Sequence, residues 1–192
     1  MSNLQNFRQI NDFEKQIIID SLLKISSEFL RVIEEFKIHL YILTNSSLSK
    51  DKFPKIFLIT KHQHFRLKLT HFDKIFSAGL YFGFIKKGNF YLSLEGADYL
   101  YKQGIFSNNK CIHVNRKGEN SILYGNNILK NMVIKTPSNL QKDDFLLVFN
   151  YMNEILSIAQ SKVEAKILQH LKPNDFIALN LSDKGIYLRE KQ

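Results

Sequence analysis

Several scarcities narrow the field before any motif is sought. One cysteine, Cys111, occurs in 192 residues, so no internal disulfide framework can form and a reducing compartment is expected. It lies in the apolar alternation Cys-Ile-His-Val, the setting of a buried structural thiol. There is no tryptophan, and the large rings are chiefly 16 phenylalanines, most of which a globular core takes up. No apolar run approaches the roughly 18 residues that a membrane span needs. The opening residues are polar and lack the apolar stretch of a secretory leader, so a soluble intracellular protein is expected, without a membrane partner.

The chemistry of common enzymes is missing too. Gly125 is not followed by the second glycine and Lys-Ser/Thr that cradle phosphates. No G-x-G-x-x-G follows a strand, no serine sits in a nucleophile elbow, and no histidine and aspartate are placed as a triad. Six histidines are scattered at 39, 62, 64, 71, 113 and 170. His62 and His64, sharing a strand face with His71 nearby, make the best metal candidate. They lack a helpfully spaced carboxylate or cysteine, so they read as surface histidines and no metal is expected. Asp143 and Asp144 would point to opposite faces of an extended chain and read as solvated acids in a turn. The chain is expected to be non-catalytic and without a cofactor.

Acid is scarce in one segment. Residues 37–92 hold ten basic and two acidic residues, a net of +8, against −2 for residues 1–36 and +3 for residues 93–192. Such asymmetry points to a polyanionic partner, nucleic acid before an acidic membrane. Lys61–Lys68 and Phe82–Tyr91 interleave cations with rings, the composition that contacts phosphates and stacks bases. The lysines are the safer contacts, because a sequence rich in phenylalanine buries most of its rings.

What is present fits an α+β chain in two halves, the first α+β and the second mostly β. Asn11 with Glu14 forms a capping-box pattern, and apolar residues recur at helical spacing through Phe36. Residues 37–44, 56–59 and 65–69 read as strands, the last with Arg66 and Lys68 side by side on a sheet surface. Residues 45–52 read as a turn. Residues 79–94 read as a hairpin turning at Lys87-Gly88-Asn89, and Glu95–Tyr101 as a short helix. Polar residues 107–110 mark the boundary between a domain over residues 1–107 and one over residues 108–192. In the second, strands are expected at 111–114, 121–124, 132–135, 145–149, 155–159, 176–180 and 186–189, which suggests a small barrel or sandwich.

The stretch Gly118-Glu-Asn-Ser-Ile-Leu-Tyr-Gly-Asn-Asn-Ile-Leu-Lys130 resembles the central motif of the NIP-seven family of ribosome-biogenesis factors. Gly79, Phe82, Gly83, Lys86, Phe90, Leu92, Ala97, Tyr99 and Leu100 resemble a second family run. Asp183-Lys-Gly-Ile-Tyr-Leu-Arg-Glu190 resembles its close, and Arg8–Glu14 its start. The resemblance implies an N-terminal α/β domain with an antiparallel sheet and a C-terminal PUA pseudo-barrel. It implies binding to pre-rRNA within the pre-60S particle beside other assembly factors, as a monomer, in the nucleus and nucleolus (or the cytoplasm of an archaeon). Lys130, Lys135, Lys162, Lys166 and Arg189 are then the expected RNA contacts, supplemented by Arg66, Lys68, Lys86 and Lys87. Gly125 and Asn126 are expected to form a structural turn between a strand ending at Tyr124 and a short helix. The chain departs from the family where Asn131-Met132 replaces Ser-Gly, and where Leu156-Ser-Ile-Ala-Gln160 carries no glycine. Glycines permit close backbone approach, so these changes leave a second possibility open: a protein-docking adaptor whose PUA domain has lost RNA binding.

Overall fold

The computed structural model describes residues 6–29, 39–44, 53–69, 77–106 and 110–189. The expected helix beyond residue 29, the turn at 45–52, His71 and the polar boundary at 107–109 lie outside them. The chain divides into two compact units, Met1–Gly96 and Ala97–Gln192.

The first unit is built on β1 (Asn6–Gln9), β2 (Leu40–Thr44), β3 (Lys55–Leu58), β4 (Leu80–Lys86) and β5 (Asn89–Leu92). They form one antiparallel sheet whose spatial order is the chain order. Helix α1 (Asp12–Ile25) opens with the expected capping box: the Asn11 side chain accepts from the Glu14 amide, and the Glu14 carboxylate accepts from the Asn11 amide. Arg8 grips the same carboxylate with both guanidinium nitrogens at 2.7 and 2.9 Å. Buried Ser21 ties α1 to β5, donating to the Ile17 carbonyl while accepting from the Phe90 amide. The β4–β5 hairpin turns at Lys87 and Gly88, both at positive φ, the type I′ geometry that matches strand twist.

Residues 61–69 correct one expectation. They form helix α2 (Lys61–Leu69), not a strand. Thr60 and Gln63 make a second capping box, with the Thr60 hydroxyl accepting from the Gln63 amide and the Gln63 side chain accepting from the Thr60 amide. The alternation of Phe65, Leu67 and Leu69 was misleading, because only Leu67 is buried and the other two stand in solvent. On a helix, residues two apart do not face each other, so Arg66 and Lys68 are not side by side.

The second unit holds most of α3 (Leu94–Lys102) and a six-stranded, barrel-like sheet in the order β7-β11-β10-β9-β6-β8. The strands are β6 (Cys111–Val114), β7 (Ile128–Leu129), β8 (Val133–Lys135), β9 (Phe145–Phe149), β10 (Ile155–Ser161) and β11 (Phe176–Asp183). All pairings are antiparallel except β6 with β9. Cys111 is buried, and burial pushes its thiol up to about 11 although Lys135 opposes the shift.

Two expected strands here are helices. Residues 116–123 form α4 (Arg116–Leu123), capped by the Asn115 side chain on the Gly118 amide. Gly118 and Ile122, four apart, face inward. A Cβ on Gly118 would lie 2.8 Å from that of Met132, so this glycine lets α4 approach the Asn131-Met132 segment. Residues 186–189 form the single turn α5 (Ile186–Arg189), entered where the Asp183 carboxylate accepts from the Gly185 amide. Among the described residues no helix is long and apolar enough to cross a membrane.

Candidate nucleic-acid interface

The expected contacts fall into three places. One end of the barrel gathers Lys130 and Lys162, because the chain returns there repeatedly. The Lys130 amide donates to the Asp175 carbonyl, the Asn131 amide to Pro173, and the Lys162 amide to Ile177, all beside the start of β11. The acids predicted to be solvated sit at the same end and hold cations. Asp144 pairs with Lys110 and accepts from the Gln141 amide, while Asp143, at positive φ, lies 3.3 Å from the Lys162 ammonium. Lys162 also donates to Gln160 at 2.6 Å. Lys166 is exposed on the turn that follows, and among the described residues neither it nor Lys130 forms an ion pair. Lys135 closes β8, where it is exposed and paired in register with His113.

Arg189 is elsewhere. It stands beyond the far end of β11, about 23 Å along an eight-residue strand from Phe176. Its guanidinium makes a bidentate pair with the buried Asp183 carboxylate, both bonds at 3.0 Å, and donates to the Leu123 carbonyl. The hydrogen bond to Asp183 holds its pKa above the usual value. This residue locks the end of α4 to the end of β11. Gly125 and Asn126 belong to the same lock. Gly125, at φ +87°, follows α4, with its amide bonded to the Ile122 carbonyl and that of Asn126 to the Ser121 carbonyl, the two bonds of a Schellman motif. The order around the turn is therefore the reverse of that expected, helix first and strand β7 after. The Asn180 amide group donates to the Asn126 carbonyl and to Asp183, pinning the turn from below.

The third place is the first unit. Arg66 and Lys68 are exposed on α2, and Lys86 and Lys87 sit at the β4–β5 turn. Lys86 holds its ammonium 4.7 Å from the centre of the Phe53 ring. His62 and His64 lie on α2, and no group of three metal-ligating side chains exists among the described residues. His64 instead docks the helix: its Nδ1 is 3.0 Å from the Tyr41 hydroxyl, and its ring meets that of His39 edge-on. Burial pushes the Tyr41 pKa up, so the hydroxyl keeps its proton beside the imidazole.

Burial, with Lys68 and His39 adding, holds His64 below its ordinary pKa of 6.5. As pH falls, the unfolded chain takes up this proton before the folded one. The contribution is therefore complete above 6.5 and is lost on descending toward the lower folded-state value. We expect denaturant midpoints of the first unit to drop as pH falls below 6.5, and His64→Gln to flatten that drop. Equal slopes for the two proteins would refute the assignment.

Residues 110–192 match the family model described as the UPF0113 PUA domain. No curated protein matches the chain in sequence. Solved structures share the fold over nearly its whole length. A conserved PUA-domain protein of Thermoplasma acidophilum superposes at a TM-score of 0.56 with 11% identity, covering 97% of this chain and 99% of its own. A hypothetical protein of Pyrococcus horikoshii OT3 does so at 0.58 with 12% identity, covering 95% and 99%. A PUA domain of Aeropyrum pernix K1, solved with tartrate, does so at 0.58 with 12% identity, covering 97% and 90%. The barrel with its α4–β11 lock, over residues 110–192, is a PUA domain.

Proposed function

We propose that this protein is a non-catalytic RNA-binding factor of ribosome assembly, acting on pre-rRNA in the formation of the large subunit, in the nucleolus if its source is eukaryotic. The observation that carries RNA binding is the PUA domain at residues 110–192, since PUA domains generally bind RNA. The net charge of +8 over residues 37–92 supports a polyanionic partner reaching the first unit as well. The ribosomal setting rests on the resemblance of Gly118–Lys130, Phe82–Leu100 and Asp183–Glu190 to the NIP-seven family, with pre-60S particles and their assembly factors as partners.

Lys130 and Lys166 are the strongest phosphate contacts in the PUA domain, because Asp143 and Asp144 already attend Lys162 and Lys110. Counterion release makes affinity fall linearly with salt on a log–log plot, and Lys130→Ala is expected to lower that slope by about one. Titrating structured rRNA fragments across a salt series checks this. Binding insensitive to salt, or absent, would sink it. Crosslinking in cells tests the ribosomal part, with crosslinks expected on pre-rRNA. The ion-paired lysines favour one alternative, a protein-docking adaptor, which the same crosslinking supports if it yields protein adducts and no RNA.

A further inference from the structure

Three rings form a ladder on the first sheet. Phe84 of β4 and Tyr91 of β5 are register partners, their centres 5.2 Å apart and their planes within 12°. Phe53, just before β3, continues the stack at 5.9 Å and 32° from Phe84. Successive strand residues alternate faces, so the ladder lies opposite buried Phe90. Phe90 stacks on Phe82, and its amide is bonded to α1. The ladder is open: Tyr91 is 46% exposed and Phe53 36% exposed. β5 is the last strand of its sheet, so no strand of that sheet flanks Tyr91 on its outer side.

The charge around these rings selects the occupant. Lys55 is the register partner of Phe84, Lys86 sits over Phe53, and Lys87 forms the adjoining turn. The surrounding segment, residues 37–92, holds ten basic residues against two acidic ones. Flat rings within a cationic field suit a ligand that is planar and polyanionic together. A paired duplex hides the faces of its bases, whereas unpaired bases stack on aromatic side chains while the backbone follows the cations. An apolar peptide would have no use for the cations.

We propose that Phe53, Phe84 and Tyr91 form a stacking platform for unpaired RNA bases, a second RNA site separate from the lysines of the PUA domain. The assignment rests on the RNA-binding function proposed above. It supplies that function with a preference for single strands over duplex.

The test uses the full chain with an end-labelled oligouridylate and a duplex of equal length. Tyr91→Ala is expected to weaken oligouridylate binding by about 5- to 150-fold, with Tyr91→Phe restoring it and duplex affinity unmoved. Because the chain has no tryptophan, Tyr91→Trp adds a single indole that can be excited apart from the tyrosines, and whose fluorescence oligouridylate should quench and duplex should not. A folded Tyr91→Ala protein with natural affinity, or a tryptophan unmoved at saturation, would overturn the platform. If that natural affinity is reduced by Lys130→Ala, the RNA-binding function stands while the platform falls. A natural chain that binds neither RNA overturns both.

Discussion

Gly185→Ala is expected to destabilise the PUA domain by about 3 kcal/mol, as overpacking against backbone does, lowering its melting temperature by roughly 10–20 °C. The reason is local. A Cβ at this position would sit 1.9 Å from the Leu123 carbonyl oxygen and 2.6 Å from Arg189 Nη1. The first is backbone and cannot swing aside, so the turn after β11 must move away from the end of α4. That movement also separates the Leu123 carbonyl from the guanidinium that donates to it. Scanning calorimetry of the full chain measures the effect. A shift under about 2 °C would mean that the α4–β11 lock gives way without cost. Gly118→Ala is the weaker control, since its nearest obstacle, the Met132 Cβ, lies at 2.8 Å and not 1.9 Å.

Phe82→Ala should unfold the first unit under conditions where the natural chain is intact. Phe82 is fully buried, stacks on Phe90 at 5.6 Å, and offers its carbonyl to the Ser93 amide. Removing a buried phenylalanine side chain costs about 3–5 kcal/mol in lost transfer and cavity energy, much of what a domain of this size has to lose. Hydrogen exchange gives the readout by unit. Amides of β3, β4 and β5 should lose protection while those of β9 and β10 keep it. Uniform loss in both units, or none, would contradict this account. The variant should also abolish oligouridylate stacking, since Phe84 and Tyr91 are held by the strands that Phe82 packs.

The sequence was legible where local chemistry decides structure. The Asn11–Glu14 box marks the start of α1, the run Phe145–Phe149 marks β9 with the bounds observed, and the Lys87-Gly88 turn marks the hairpin. It misled where a short alternation imitated a strand. In residues 61–69 the decisive signal was the capping pair of Thr60, just upstream, and Gln63 in the first turn. In residues 116–123 it was the Asn115 cap and the four-residue spacing of Gly118 and Ile122. The lysines of the candidate site were readable as residues, but their grouping was not. Which cations are engaged depends on contacts such as Lys110 with Asp144, 34 positions apart, and Arg189 with the Leu123 carbonyl, 66 apart. No periodicity carries such information.

The two strand orders have a consequence for how the chain acquires its structure. In the first sheet each strand pairs with the one made just before it; β1 meets β2 only after α1 has been made, but β3, β4 and β5 then add in turn, the last through a two-residue hairpin. In the second sheet β11 is inserted between β7 and β10, so that Leu129 waits for Phe176, far along the chain, before it is paired. Long-range pairing is slow because loop entropy is lost before contacts return it. The barrel of the second unit therefore cannot close until β11, its last strand, is in place between β7 and β10.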